Sequence, residues 1–434
     1  MRLKTSVLAI ASTFAMTGVA HATTTIEFWH SMEGKLGETV NKIVDDFNHS
    51  QSEYKVVATY KGSYTDSMNA GIAAYRAKKA PNILQVFEVG TATMMYSKGA
   101  IVPVGELSEK VGNPIQASDF ITGIASYYSD KDGKLVSMPF NSSTPVFYYN
   151  KDLFKQAGLD PEKPPRTYEE LRDYGNKLKA AGVECAYTTT WPAWVMIENF
   201  AAIANTPYAT ENNGFDGLNA RLALDSDAFK KHLTFLADMA KEGSFTYGGR
   251  ADNATGRFTS GKCAMFTGSS GARATIVATG INYGVGYLPY YADNTDPHNS
   301  IIGGASLWAF SGKSDDENKA TVAFFKYLTK PEVAAFWHQK TGYVPVVKAA
   351  YELTEAQGYY QENPGADIAV KQLNRTAATN SKGIRLGFLP AIRDIEERNL
   401  EDLFNGKITA DKALSNMKTD GDKLLERFQK QTEK

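Results

Sequence analysis

The sequence predicts an α/β protein with two doubly wound lobes, and three observations lead to this prediction. At 434 residues the chain is too long for a single core, so we expect at least two domains. Strand-like and helical segments alternate along the chain, which is the order typical of doubly wound sheets. This alternation occurs in two series, one before residue 139 and one after it. Two series of this kind require two sheets and therefore predict two lobes.

The first series supplies the elements of the first lobe. They are predicted in the order strand 23–29, helix 36–47, strand 56–60, helix 64–74 and strand 83–87. Ligands of doubly wound lobes bind beyond the carboxyl ends of the strands. Tyr64 and Glu88 lie near two such ends, so they are candidates for a binding site.

The second series opens with Val146-Phe147-Tyr148-Tyr149. This unbroken run of β-branched and aromatic residues is typical of a strand that is covered on both faces. Thr167 and Glu170 have the spacing of a capping box and predict a helix over 168–181. A further strand over 185–190 completes the order strand, helix, strand. We therefore expect a βαβ unit, the building block of parallel sheets.

The remaining elements continue both series. They are predicted as helix 227–241, strand 263–267, strand 301–310 and helix 317–328. Cys185 and Cys263 each begin a strand-like run. In an oxidising compartment these two residues can form one disulfide, but buried free thiols in neighbouring strands fit the sequence equally well. The pairing is therefore left open.

Residues 1–22 have the pattern of a cleaved secretory signal peptide. Arg2 and Lys4 precede a mainly apolar stretch over 6–20, and Ala20-His21-Ala22 is a small-x-small cleavage site. We therefore expect the fold to begin at Thr23 and the mature protein to be soluble outside the cytoplasm. No other apolar run approaches the roughly 20 residues that a membrane span requires.

The charge composition argues against a nucleic acid or an anionic membrane as the partner. The chain has 47 Lys and Arg residues against 48 Asp and Glu residues, which gives a formal charge of -1. Because no global field attracts polyanions, any anion must be held by a local site.

Several motifs carry a resemblance to a known family. They are TTTIEFWHSMEG (23–34), YYNKDLFKQAGLDPEKPPRTYEEL (148–171), IIGGASLWAF (301–310) and KPEVAAFWHQKTGYVPVVKAAYELT (330–354). In this order the chain resembles the extracellular solute-binding proteins of ABC importers (family 1, maltose-binding-protein-like), and among them those that bind glycerol phosphate. The resemblance covers essentially the whole mature chain. It implies the type II fold of periplasmic binding proteins, in which a hinge joins two lobes around a ligand cleft.

The resemblance also implies that each lobe is discontinuous in sequence. The N-terminal lobe would comprise residues 23–139 plus about 300–340. The C-terminal lobe would comprise residues 140–299 plus about 341–434. The chain would then cross the hinge two or three times.

Eight ligand-binding residues follow from the resemblance. They are Tyr64, Glu88, Ser143, Trp191, Ser269, Gly304, Tyr343 and Arg393. The tyrosine, serine and arginine side chains and the glycine N–H would donate to phosphate oxygens. Glu88 would accept from glycerol hydroxyls, and Trp191 would form an apolar wall.

Residue spacing alone favours more ordinary roles for three of these positions. Ser269 fits a capped turn between a strand and a helix, and Gly304 fits a β-bulge. Arg393 stands among acidic neighbours, as a solvated surface arginine does. Their binding roles therefore rest on the resemblance.

The function implied is that of a periplasmic receptor that captures sn-glycerol 3-phosphate, and diesters such as glycerophosphocholine, for an ABC importer. Its partners would be the membrane permease subunits and their cytoplasmic ATPase. We expect a monomer without cofactor, metal, nucleic-acid partner or enzymatic activity.

Two alternatives remain. A sugar receptor has the same fold, and an extracytoplasmic hydrolase of glycerophosphodiesters would bind similar molecules. The five histidines of the mature chain form no HExxH motif. In addition, Trp308 stands where a nucleophile elbow beginning at Gly304 requires glycine, so the hydrolase is the weaker alternative.

Overall fold

The computed structural model describes residues 22–97 and 99–434. Apart from Ala22, the predicted signal peptide lies outside these residues, and it remains a prediction. The strands in this part of the chain are β1 (Thr24–His30), β2 (Tyr54–Tyr60), β3 (Ile83–Phe87), β4 (Ile101–Val102), β5 (Met138–Ser143), β6 (Pro145–Asn150), β7 (Cys185–Thr189), β8 (Cys263–Ser269), β9 (Tyr283–Gly286) and β10 (Gly303–Phe310).

The strands form two sheets, one for each lobe. The first has the order β2-β1-β3-β10-β4, and β5 also pairs with β10. Within it β1 is parallel to β2 and β3, whereas β10 is antiparallel to β3, β4 and β5. The second sheet has the order β7-β8-β6-β9. The predicted α/β class with two lobes is therefore confirmed.

The longer helices cover these sheets. In the described residues they are Gly34–Ser50, Tyr64–Arg76, Tyr168–Ala180, Asp227–Glu242, Asp315–Leu328, Pro331–Thr341, Lys348–Ala356, Leu389–Phe404 and Ala410–Thr432. In the first of them Val40, Ile43, Val44 and Phe47 are buried. Their spacing of three and four residues places them on one helix face, which therefore packs inward.

Shorter helical segments connect the larger elements. The α-helical ones are Thr91–Met95, Val104–Lys110, Thr122–Tyr127, Lys151–Gln156, Asn199–Ile203, Thr255–Thr259, Arg273–Ala278, Tyr359–Glu362 and Ile368–Leu373. Glu88–Gly90, Ala117–Asp119 and Ser270–Ala272 are 3₁₀ turns, and Ala193–Glu198 is a π-helical turn. Thr210–Gly214 is a left-handed turn, because residues 211–213 have positive φ.

The predicted βαβ unit is wrong in its strand direction. The helix Tyr168–Ala180 forms with both capping-box hydrogen bonds of Thr167 and Glu170. However, β8 lies between β6 and β7, antiparallel to β6 and parallel to β7. Only Thr144 separates β5 from β6. The direction of β6 is therefore set where the chain crosses from the first sheet to the second. The order of strands and helices along the sequence does not show this crossing.

The chain passes between the lobes at paired crossings. The Thr144 hydroxyl lies 2.6 Å from the Ser300 hydroxyl and donates to the carbonyl of Ile301 over 2.9 Å, which ties two crossings together. The lobe boundaries remain predictions. The helix Lys348–Ala356 packs on Pro331–Thr341, which favours a final return to the second lobe later than residue 341.

A disulfide joins Cys185 to Cys263. These residues stand opposite each other at the start of the parallel strands β7 and β8. Of the two alternatives that the sequence left open, the structure therefore has the disulfide and not the free thiols. This disulfide crosslinks two neighbouring strands of the second sheet.

Candidate ligand-binding cleft

One cavity of about 270 Å³ is lined by residues of both lobes. Its volume lies just below the usual range for small-molecule sites, so it suits a small solute. Its lining includes all eight predicted residues, namely Tyr64, Glu88, Ser143, Trp191, Ser269, Gly304, Tyr343 and Arg393. Since they come from eight separate segments of the chain, the tertiary fold alone brings them together.

The first-lobe wall contains a hydrogen-bonded tyrosine. Tyr64 begins the helix Tyr64–Arg76, whose start is fixed by a capping box between Ser63 and Asp66. The Tyr64 ring stacks on Phe87 with centroids 5.3 Å apart, and its hydroxyl accepts a 2.9 Å hydrogen bond from the Asn141 amide. Burial raises the pKa of Tyr64, so the hydroxyl keeps its proton and can donate it to a ligand.

Ser143 and Gly304 line the cavity from the crossing strands. β5 pairs with β10 in the register Ser143 to Gly303 and Ser142 to Gly304. Gly304 has φ +82°, and a Cβ atom there would lie 1.9 Å from the Asn141 carbonyl oxygen. The ladder shifts register only between Ala305 and Ser306, where Phe140 of β5 has no partner. Gly303 and Gly304 pair regularly, so the bulge expected there is wrong and the close backbone approach explains the glycine.

The Ser269 turn is both a capped turn and part of the cavity wall. Ser269 ends β8, and its Oγ accepts a 3.0 Å hydrogen bond from the N–H of Gly271. A Cβ atom at Gly271 would lie 2.8 Å from the Tyr343 ring, so the missing side chain admits that tyrosine. Tyr343 in turn stacks on Trp337 at 5.5 Å between ring centroids.

Arg393 is a buried member of an ion-pair cluster and not a solvated residue. Its Nε and Nη2 donate to the two oxygens of Glu198 over 2.6 and 2.8 Å. Nη2 also donates to Oε1 of Glu88 over 2.6 Å. The three side chains are only 11%, 2% and 8% exposed, respectively. Although burial alone lowers the pKa of Arg393, its two carboxylate partners hold it above its ordinary value.

Two further buried carboxyl groups follow Arg393 on the same helix. The Tyr208 hydroxyl donates to Glu396 over 2.6 Å, and the Ala193 N–H donates to Glu397 over 3.1 Å. Burial raises the pKa of Glu396 well above its ordinary value and that of Glu397 to about 7. Both groups therefore favour the neutral form compared with exposed carboxyl groups.

Two tryptophans approach the cavity from the segment after β7. Trp191 has φ +48°, a left-handed conformation that is uncommon for a large residue, and residues held in such conformations cluster at functional sites. Trp194 is buried and donates from its indole to the Ile302 carbonyl over 3.4 Å. A Cβ atom at Gly303 would lie 2.2 Å from the Trp194 ring, so this glycine admits the indole.

Several residues of the cavity, and Glu198 behind Arg393, were not predicted from the sequence. The missed lining residues with polar or aromatic side chains include Ser31, Glu33, Tyr60, Thr190, Trp194 and Asp252. Ser31 directly follows β1, so the rule that placed Glu88 after β3 could have found it. Glu198 had no comparable signal, because 195 positions separate it from Arg393.

Neither a metal site nor a membrane span occurs in the described chain. Within residues 22–97 and 99–434, no group of histidine, cysteine and acidic residues could hold a metal ion. No helix there is both long and apolar enough to cross a membrane.

Comparison with known proteins identifies close relatives. Residues 42–367 match the family described as bacterial extracellular solute-binding protein. The chain is 51% identical over 432 residues to the sn-glycerol-3-phosphate-binding periplasmic protein UgpB of Salmonella typhimurium, covering 99% of this chain and 98% of that protein. It is 51% identical over 428 residues to UgpB of Escherichia coli strain K12, covering 98% of both chains.

Solved structures with the same fold include more distant proteins. UgpB from Mycobacterium tuberculosis in complex with glycerophosphocholine superposes with a TM-score of 0.80 at 23% identity, covering 93% of this chain and 99% of that chain. Maltose-bound MalE3 of T. maritima superposes with a TM-score of 0.74 at 18% identity, covering 94% and 100%. At these identities the structures establish the fold, which receptors for different solutes share.

Proposed function

The chain belongs to the bacterial extracellular solute-binding proteins, and we propose that it is the periplasmic receptor that captures sn-glycerol 3-phosphate for an ABC importer. The observation that carries the proposal is the buried Arg393 in the wall of a cavity that both lobes line. The relatives that match nearly the whole chain carry the name of this function.

The phosphate group would bind close to Arg393. Hydrogen bonds to the two glutamates occupy Nε and Nη2, and among the described residues nothing accepts a hydrogen bond from Nη1. Nη1 is therefore the donor that remains for a phosphate oxygen. The hydroxyls of Ser143 and Ser269 and the backbone at Gly304 line the same cavity and would complete the shell of donors.

The glycerol moiety would bind between Glu88 and the aromatic wall. Only Oε1 of Glu88 is bonded to Arg393, so Oε2 is available to accept from a glycerol hydroxyl. Trp191 lines the same cavity and offers an apolar face to the carbon chain. Diesters such as glycerophosphocholine carry the same glycerol and phosphate groups, and we include them among the ligands.

Ligand capture would be coupled to closure of the lobes. Glu88 follows a strand of the first sheet, whereas Arg393 belongs to the helix Leu389–Phe404 on the other side of the cleft. A ligand that contacts both sides stabilises the closed form and shifts an existing equilibrium toward it. The closed receptor, which we take to be a monomer, would then dock on the permease subunits.

The sugar receptor is the alternative that the fold permits. Aromatic residues of the cavity, including Tyr60 and Trp194, would suit a sugar face. A buried arginine with one unpaired amino group suits a phosphate better, because its donors match phosphate oxygens. We expect binding without turnover, which distinguishes the receptor from a diester hydrolase.

Calorimetric titration tests the proposal. The mature protein, unfolded and refolded to remove carried ligand, is titrated with sn-glycerol 3-phosphate, glycerophosphocholine and maltose. We expect both phosphate compounds to bind and to be recovered unchanged, and maltose not to bind. Binding of maltose alone would assign the cleft to sugars, and release of glycerol phosphate from the diester would assign a hydrolase.

A further inference from the structure

The guanidinium of Arg393 is held from behind by Glu198. Glu198 accepts from both Nε and Nη2, while Glu88 accepts from Nη2 alone. Glu198 is 2% exposed, and it lies outside the set of side chains that form the cavity wall. It therefore acts on a ligand through Arg393 and through its own charge.

The backbone holds Glu198 in place. It is the last residue of the π-helical turn Ala193–Glu198, a type of turn that is rare and occurs frequently at functional sites. The turn is fixed at its first two residues, where the N–H of Ala193 donates to Glu397 and the indole of Trp194 donates to the Ile302 carbonyl. Glu198 is itself buried and accepts two hydrogen bonds from Arg393, so its carboxylate has little freedom to turn away.

The cluster carries one positive group against two negative ones. Arg393 forms ion pairs with Glu88 and with Glu198, so the three side chains together carry one excess negative charge. A phosphate at Nη1 would meet the attraction of the guanidinium and the repulsion of both carboxylates. The repulsion is proportional to the charge of the ligand, so it is twice as large for a dianion as for a monoanion.

We propose that Glu198 is a positioning residue that both fixes the Arg393 guanidinium and sets the charge preference of the cleft against doubly charged phosphates. The inference rests on the proposed function, because it places the ligand phosphate at Arg393. A phosphate monoester is doubly charged well above its second pKa of about 6, whereas a diester carries a single charge. Glu198 therefore shifts the balance of affinities from monoesters toward diesters.

The test compares two ligands on two variants at pH 8. The ligands are sn-glycerol 3-phosphate and glycerophosphoglycerol, a diester whose head group is uncharged. Glu198→Gln keeps the shape of the side chain and one acceptor for Arg393 but removes the negative charge. We expect the affinity for the monoester, relative to that for the diester, to rise on the order of tenfold.

Glu396→Gln is the matched control. Glu396 is buried in the same region, is bonded to Tyr208 and has no hydrogen bond to Arg393. Burial raises the pKa of Glu396 well above its ordinary value, so its replacement by an amide changes the local charge little. We expect the affinity ratio of the two ligands to stay within twofold of that of the wild type.

The outcomes separate this inference from the proposed function. Failure of the wild type to bind either phosphate would refute the proposed function itself. If the wild type binds and Glu198→Gln weakens both ligands by the same factor, or leaves both unchanged, the charge role of Glu198 is refuted. Glu198→Ala removes the same charge and provides a second measurement if the glutamine variant does not fold, as checked by thermal unfolding.

Discussion

In the proposed site Arg393 would have to satisfy two requirements, because it must be stable in a buried position and still have a donor free for a ligand. Glu88 and Glu198 meet the first requirement by accepting from Nε and Nη2. The geometry of the guanidinium meets the second, since its five donors are more than two carboxylates occupy here. A lysine has only three donors, so three hydrogen bonds of this kind would leave it none for a phosphate.

Replacing Arg393 tests whether its remaining donor binds the ligand. We expect Arg393→Ala to weaken binding of sn-glycerol 3-phosphate by about 2 to 5 kcal/mol, the range for a buried charge pair that loses one member. The measurement is calorimetric titration. Arg398→Ala is the matched control, because Arg398 is exposed on the same helix and should leave the affinity unchanged. Unchanged affinity in Arg393→Ala would contradict the placement of the phosphate.

His232 gives a prediction about pH. It is fully buried and stacks on Phe200 at 3.8 Å, with its ring nitrogens bonded to the Tyr291 hydroxyl and the Met196 carbonyl. Burial lowers the pKa of His232 to about 3. The unfolded chain therefore binds a proton near pH 6.5 that the folded chain does not bind until about pH 3. Stability from this group is present above pH 6.5 and is lost as the pH falls toward 3.

The variant His232→Phe isolates this contribution. Denaturant unfolding of the wild type and the variant at pH 7.5, 6, 5 and 4 measures the difference between their unfolding free energies. We expect this difference to move in favour of the variant as the pH falls, because only the wild type has a buried histidine to protonate at position 232. A difference that does not depend on pH would show that His232 is protonated in the folded state as easily as in the unfolded state.

At the scale of elements, the sequence indicates where a helix is capped but does not indicate which strands pair with each other. Thr167 and Glu170 lie three residues apart, so their capping box could be predicted, and it forms. The direction of β6 depends on its junction with β5 and on β8, a strand more than a hundred residues later, so the predicted βαβ unit was wrong. Sequence spacing carries information about interactions within an element and little about its neighbours in the sheet.

The close approach of β10 to β5 at Gly304 leads to a prediction about stability. A Cβ atom at Gly304 would meet the Asn141 carbonyl oxygen at 1.9 Å, and backbone cannot move as easily as a side chain. Gly304→Ala should therefore destabilise the fold by about 3 kcal/mol or more and weaken ligand binding, since strain at such positions alone costs about 1–3 kcal/mol. Thermal unfolding and titration measure the two effects.

Gly312→Ala is the control for conformational strain. Gly312 has φ +76°, close to the φ of Gly304, but a Cβ atom there would have nothing within 4 Å. We expect this variant to lose only about 1–2 kcal/mol and to keep its affinity. Equal losses in the two variants would mean that the backbone contact at Gly304 adds nothing to the strain.

At the scale of the whole molecule, the convergence of the eight candidate residues was predictable only through family resemblance. Spacing alone favoured a capped turn at Ser269, a bulge at Gly304 and a solvated side chain at Arg393. The structure contains the capped turn, so that interpretation was correct but incomplete. The irregularity of the ladder lies at Phe140 of β5 and not at Gly304, and Arg393 is only 11% exposed, so the other two interpretations were wrong. Eight residues from eight segments converge in one cavity, and no local pattern encodes that convergence.

The disulfide and the cleft lie at opposite ends of the same two strands. Cys185 and Cys263 begin β7 and β8, which run parallel. Ser269 ends β8, and Trp191 follows the end of β7. A strand rises about 3.3 Å per residue, so the crosslink lies about 20 Å from Ser269. We therefore expect stability and ligand affinity to respond separately to loss of the crosslink.

The double variant Cys185→Ala, Cys263→Ala tests this separation. The disulfide closes a loop between residues 78 positions apart, and in the chain-entropy account its loss costs about 4.5 kcal/mol of unfolding free energy. Denaturant unfolding of oxidised wild type, reduced wild type and the variant should show this loss in the latter two. The affinity for sn-glycerol 3-phosphate should stay within twofold for all three under native conditions. A large fall in affinity with the fold intact would mean that the crosslink also holds the Ser269 and Trp191 ends of the strands in register.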